Sequence, residues 1–143
     1  MQAIEARAHS AAGPEAVWVL VADVSGWARW GAWQQADLER EGDPPPGGVG
    51  ALKTLKRGPV TSREEVTVFE PPSRFGYRLL SGLPLRDYEA EITLTESPAG
   101  GTEIVWRSRF EPRIPFTGAL FRRSLGRFIQ DTAERLAREA ERS

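Results

Sequence analysis

A change of hydrophobic period near residue 117 restricts how this chain can fold more than any other feature. Before that point most of the sequence alternates apolar with polar residues; from 117 to 141, Phe121, Leu125, Phe128, Ile129, Thr132, Leu136 and Ala140 recur every three or four positions. Alternation is the pattern of strands with one buried face, and the three-four recurrence that of a helix with one apolar stripe. Arg123, Arg127, Gln130, Glu134, Arg138 and Glu141 fall on the polar side of that helix. The stripe must be buried, and the face of an antiparallel sheet is the available surface.

The remaining elements follow from alternation and turn chemistry. Residues 2–9 read as a strand, with Ile4, Ala6 and Ala8 on one face and Glu5, Arg7 and His9 on the other. Gly13-Pro14-Glu15 opens a helix in which proline at the first position costs no hydrogen bond, and Val17, Leu20 and Val21 carry it to about Asp23. A second short helix or turn holds Trp27 and Trp30, with Asp23 or Ser25 placed to cap it. Strands are predicted at about 33–41, 49–57, 60–69, 74–81, 86–96 and 102–111, separated by Gly58-Pro59, Pro71-Pro72, Gly82-Leu-Pro84 and Pro98-Ala-Gly-Gly101. The expected class is α+β: a seven-stranded curved antiparallel sheet wrapped around a long C-terminal helix, with two short helices after the first strand. A length of 143 residues suits one domain, 1–143.

Composition removes several function classes. A net charge of −1 gives no reason to expect a nucleic-acid partner. No cysteine is present, and the single histidine, His9, lies on the presumed solvent face, so neither a Ser/His/Asp triad nor a metal site is expected. Asp87, Glu89 and Glu91 alternate against Tyr88, Ala90 and Ile92 and read as a solvated face. Gly47-Gly48-Val-Gly50 lacks the following helix and lysine of a phosphate loop. The longest apolar stretch, 16–22, is too short to insert into a bilayer, and the N-terminus lacks the apolar core of a secretory signal. A soluble, cytoplasmic protein is expected.

Pro14-Glu-Ala-Val-Trp18, the Asp23-Val-Ser-Gly-Trp27 and Trp30 segment, Arg63-Glu64-Glu-Val66, Tyr77 with Ser81-Gly-Leu-Pro84, and Gly101-Thr102 ahead of Trp106 together resemble the START-like helix-grip superfamily (SRPBCC). Within it, the chain is similar to bacterial polyketide cyclase/dehydrase-like and lipid-transport-like proteins, over nearly its whole length. That resemblance implies a cavity between sheet and C-terminal helix that holds an apolar or aromatic small molecule, lipid- or polyketide-like, without a cofactor.

Hairpin registers indicate which residues would line such a cavity. A turn at Gly58-Pro59 sets Leu55 opposite Ser62, Lys53 opposite Glu64 and Ala51 opposite Val66, on a face shared with Val60 and Val68. The next turns set Val66 by Tyr77, Glu64 by Leu79, Leu79 by Tyr88 and Tyr77 by Ala90, with Phe75 also facing inward. The last hairpin sets Ala90 by Ser108 and Ile92 by Trp106, and small Ala90 and Ser108 are expected to leave room near Tyr77. Phe110 continues the inward face, Phe121 reaches in from the helix, and Gly118 either extends the void or permits close packing. Of the clustered tryptophans, Trp27 and Trp30 are expected to staple the corner, whereas Trp33 sits at the cavity rim.

Glu64 is the sharpest candidate. On an inward face it either titrates near neutrality as a lone buried carboxyl or forms an ion pair with Lys53 that orients a polar group of a ligand. Three readings are carried forward: a carrier or sensor of an apolar ligand; a cofactor-independent cyclase or dehydratase with Glu64 and Tyr77 as acid/base candidates; and an interaction module using the tryptophan corner or the arginine-rich helix face. A homodimer is left open.

Overall fold

A computed structural model describes residues 1–142. The chain runs β1 (Gln2–Ser10), α1 (Pro14–Ala22), a single 3-10 turn (Val24–Gly26), α2 (Trp27–Trp30), then β2 (Gln35–Arg40), β3 (Leu52–Arg57), β4 (Val60–Glu70), β5 (Arg74–Ser81), β6 (Leu85–Glu96), β7 (Thr102–Pro112) and α3 (Gly118–Arg142). The seven strands form one sheet in the order β1-β7-β6-β5-β4-β3-β2, each antiparallel to its neighbours. The meander runs from β2 to β7, with a long loop over residues 41–51 between β2 and β3 and shorter turns between the later strands. β1 closes it by pairing with β7 along its whole length, Gln2 opposite Phe110 through Ser10 opposite Thr102.

The inward registers expected from the turns are present: Lys53 faces Glu64, Leu55 faces Ser62, Val66 faces Tyr77, Tyr77 faces Ala90, and Ile92 faces Trp106. Glu64 also faces Leu79 and Ala90 faces Ser108, and two bulges alter the remaining expectations. In β4 the ladder shifts between Val66 and Val68, so that Val68 lies against Gly76 on the convex side while Phe69, opposite Phe75, packs its ring on Trp18 at 5.1 Å. Val68 is therefore not on the face of Val66, because one extra residue reverses the alternation. In β6 the ladder shifts between Arg86 and Glu89, where Asp87 adopts φ 55°, and the pairing with β5 ends at Arg78–Glu89. Leu79 and Tyr88 are thus not paired, although both remain on the concave side.

Other expectations change at the corner. Neither Asp23 nor Ser25 caps a helix; the Ser25 hydroxyl donates to Asp23, whose other oxygen pairs with Arg29 at 2.9 Å. Trp33 precedes its strand rather than opening it, since β2 starts at Gln35. Gly118 is buried where a Cβ would come within 2.8 Å of the Gln2 side chain, so its missing side chain serves close packing of α3 on β1 and adds nothing to a void. The space over Ala90 and Ser108 is filled as well: Tyr88 stacks on Phe110 and hydrogen-bonds the Ser108 hydroxyl at 3.0 Å.

The helix α3 grips the sheet unevenly. Its second half presents Ala133, Leu136, Ala137 and Ala140, all buried, and these small side chains let it lie close along β1 and β7. Ser10 ties this end by donating to the Ala137 carbonyl at 2.8 Å. The first half presents Phe121, Leu125 and Phe128, which are only half-buried. One end of the helix therefore seals the sheet and the other roofs an open space.

Trp27 is the largest fully buried side chain of the corner. Its ring lies 5.6 Å from Trp30, 5.9 Å from Phe75 and 5.8 Å from Trp106, and its indole N–H donates to the Val21 carbonyl at 3.0 Å. Trp27→Ala is expected to lower stability by about 3–5 kcal/mol in urea unfolding, the usual cost of emptying such a site; a loss below about 1 kcal/mol would show that the corner holds little of the fold together.

Candidate functional site

The space beneath the first half of α3 is a cavity of about 260 Å³ between that helix and strands β3 to β7. Its apolar wall includes Trp33, Leu55, Leu79, Leu83, Trp106, Phe121 and Phe128, and its polar groups include Arg57, Ser62, Glu64, Tyr77, Tyr88 and Thr132. A few polar groups in a mostly apolar wall is the usual make-up of a small-molecule site. A larger, open depression of about 570 Å³ lies on the convex face. Its charges are spent on one another, Glu89 with Arg109 at 2.7 Å and Glu91 with Arg74 at 2.9 Å, so it offers a solvated salt-bridge lattice rather than a binding site.

Eight residues singled out from sequence meet on the cavity wall: Trp33, Leu55, Glu64, Tyr77, Leu79, Tyr88, Trp106 and Phe121. The other five lie off it. Lys53 sits behind Glu64, Val66 is one step deeper in the core, and Ser108 and Phe110 support Tyr88 from below. Gly118 packs on Gln2.

Sequence reasoning did not single out Arg57, placed Val60 and Ser62 on the inward face without naming them as ligand contacts, and did not assign Leu83, Ser124, Leu125, Phe128, Ile129 or Thr132 to the cavity. The signal for the first three was present, because Arg57 continues the inward series Lys53, Leu55, Arg57, opposite Glu64, Ser62 and Val60. The helical stripe named Leu125, Phe128, Ile129 and Thr132 as buried without saying which part of it roofs the cavity.

At the inner end stands a buried ion pair. Lys53 Nζ and Glu64 Oε1 are 3.3 Å apart, with the lysine side chain fully buried and the glutamate 10% exposed. Their alignment falls short of a hydrogen bond, and neither atom has another hydrogen-bond partner among the described residues. The ammonium is held instead by aromatic faces, 3.3 Å from the Trp27 ring centroid, 4.4 Å from Tyr77 and 5.3 Å from Phe75. Cation–π attraction in a desolvated setting partly replaces the lost hydration. Burial still pulls the Lys53 pKa down to about 8 against the pull of Glu64, and burial raises that of Glu64 against the pull of Lys53.

The tyrosines beside the pair are poor proton donors. Burial lifts Tyr77 well above the ordinary phenol range and Tyr88 to about 12. The Tyr77 hydroxyl accepts from the Trp106 indole N–H at 3.2 Å, which fixes its position under the cavity floor. Among the described residues no cluster of His, Asp or Glu could hold a metal, and no helix is long and apolar enough to cross a membrane.

A seven-stranded antiparallel sheet closed on a long C-terminal helix, with two short helices after the first strand and a cavity under the helix, is the helix-grip architecture of the START-like superfamily. The chain belongs to the family described as polyketide cyclase/dehydrase and lipid transport, whose model matches residues 1–141. Solved structures share the fold at low identity. XoxI from Bacillus cereus is 17% identical with a TM-score of 0.82, covering 97% of this chain and 95% of that one. A START superfamily protein from Mycobacterium smegmatis is 14% identical with a TM-score of 0.80, covering 98% and 97%. Ara h 8.0201 is 13% identical with a TM-score of 0.79, covering 99% of each chain. No curated protein matches the sequence.

The ion pair yields two expectations. Lys53→Met strands a buried carboxylate and should cost about 3–5 kcal/mol, whereas Lys53→Met/Glu64→Leu should recover most of that loss; a double variant no more stable than the single one would mean that the two charges are not coupled. The unfolded chain keeps the lysine proton into the ordinary range while the folded chain releases it near 8. Between about 8 and the ordinary lysine value of 10.5 the unfolded state therefore binds more protons, and the Lys53 contribution to stability rises with pH. The wild-type minus double-variant stability should accordingly increase across that window; a flat difference would refute the depressed lysine.

Proposed function

We propose that this protein binds an apolar or aromatic small molecule in the cavity beneath α3, acting as a carrier or sensor in the cytoplasm. The observation that carries the reading is the uneven grip of the helix: alanines close one end of the sheet, while Trp33, Phe121, Leu125 and Phe128 frame a 260 Å³ opening at the other. Membership of a family described by polyketide cyclisation and lipid transport supports the same class of ligand. Trp33 is the natural rim contact, half-buried with its ring edge-on to Phe128 at 5.5 Å.

A second reading, cyclisation or dehydration of a polyketide-like substrate, has one specific observation in its favour. Glu64 reaches the cavity wall with its pKa raised by burial, one oxygen turned to Lys53 and part of the side chain still exposed. Such a carboxyl can accept a proton from a bound substrate near neutrality. Tyr77, with its pKa raised, is the weaker candidate. Turnover of a poly-β-ketone that disappears in Glu64→Gln would favour this reading over the carrier.

For the binding reading, Trp33→Ala should weaken titration of 2-naphthol by about three- to tenfold, the worth of one aromatic contact, and change stability by less than about 1 kcal/mol. Unaltered affinity, or a stability loss as large as that expected for Trp27→Ala, would move Trp33 from the ligand to the scaffold.

A further inference from the structure

We propose that the cavity is built for a compact amphiphilic organic acid: carboxylate on Arg57 at the mouth, apolar body between Trp33, Leu55 and Phe128, and a hydrogen-bond donor at the inner end facing Glu64. This rests on the ligand-binding reading above and narrows it to a substrate class.

Size sets the first limit. At roughly 30 Å³ of liquid volume per water molecule, a cavity of 260 Å³ has room for the equivalent of about nine waters. One or two fused rings, or a short branched chain, fill it; a two-chain lipid does not.

Polarity sets the second. Lys53, Leu55 and Arg57 lie on one face of β3 and are opposed by Glu64, Ser62 and Val60. Four residues of strand span about 13 Å, so this part of the wall runs from a carboxylate inside, past Leu55, to a guanidinium at the mouth. The inner carboxylate has its counter-charge in Lys53, against which Oε1 is buried, yet the side chain keeps 10% of its surface exposed and lines the cavity wall, where it can accept from a ligand. Arg57 is in the opposite condition. Its guanidinium lies 4.4 Å from the Phe128 ring centroid, and it forms no ion pair among the described residues. Most arginines elsewhere on the sheet do pair, Arg63 with Glu39, Arg74 with Glu91, Arg78 with Glu65 and Arg109 with Glu89, while Arg86, like Arg57, forms no ion pair among the described residues.

The segment that roofs the cavity carries the same sign. Between Glu111 and Asp131 the sequence has no carboxylate but contains Arg113, Arg122, Arg123 and Arg127, in a chain whose net charge is −1. None of these four forms an ion pair among the described residues, and the same stretch supplies Phe121, Leu125 and Phe128 to the cavity. Unopposed positive charge on the segment that also roofs the cavity raises the potential on that side of the molecule and favours approach of anions. A neutral or cationic ligand would gain nothing from this arrangement. Planar two-point pairing of a guanidinium with a carboxylate fixes both position and orientation at the mouth.

Isothermal titration at pH 7 and low salt with 6-hydroxy-2-naphthoate, 2-naphthoate and 2-naphthol tests each part. The hydroxy acid should bind about tenfold more tightly than 2-naphthol, as expected of one charge-assisted hydrogen bond. Arg57→Gln should abolish that advantage, bringing the hydroxy acid and 2-naphthol to similar affinity. In the wild type the hydroxy acid should also exceed 2-naphthoate, and in Lys53→Met/Glu64→Leu that difference should vanish. Equal affinity for acid and naphthol, or an Arg57→Gln variant that weakens both alike, overturns the proposal while the cavity remains a binding site. If none of the three probes binds, the ligand-binding reading falls and this inference falls with it.

Discussion

A lysine ammonium with no water around it must find other partners, and the arrangement of this protein is organised around the ones Lys53 has found. Trp27 comes from the helical corner, Phe75 and Tyr77 from β5, and Glu64 from the neighbouring strand β4. Corner, sheet and cavity wall thus share a single charged contact. Its energetics are those of a buried pair: removing either member leaves the other stranded in a low dielectric, while the intact pair contributes little beyond offsetting its own desolvation. The benefit is positional, since the pair holds a carboxylate at the inner end of an otherwise apolar cavity.

The cavity itself arises from a gradient of side-chain size along α3. Ala133, Ala137 and Ala140 let the second half approach the sheet closely, and Phe121, Leu125 and Phe128 hold the first half away from it. Opposite them, Trp106 and Tyr77 are locked by their mutual hydrogen bond and cannot collapse into the space. Rigid aromatic walls and a helix anchored at one end keep apolar surface available to a ligand, which is the physical basis of the binding reading.

Much of this was legible in the sequence. Turn positions at Gly58-Pro59 and Pro71-Pro72 set the registers that bring Lys53 to Glu64 and Val66 to Tyr77, because a side-chain period of two leaves a hairpin few alternatives. Bulges escape this logic. The inserted residue after Val66 turns Val68 outward and Phe69 inward, and Asp87 does the same work at the start of β6. The β6 bulge is marked by no glycine or proline and the β4 bulge only by Gly76 on the partner strand, so the alternation read from sequence continued past both.

What the sequence determined by itself was the class of fold and the identity of the inward faces, since both follow from periodicity and turn chemistry along a single strand or helix. Tertiary structure alone decided which inward residues meet space and which meet each other. Ser108 and Phe110 share the face of Trp106 yet support Tyr88, and Lys53 shares the face of Leu55 yet is sealed under Trp27. Arg57, which alternation places on the inward face of β3, stands at the mouth without a carboxylate partner among the described residues and with the Phe128 ring of α3 beside it. Contact across elements depends on helix placement and side-chain volume together, and neither is written in the period of any one segment.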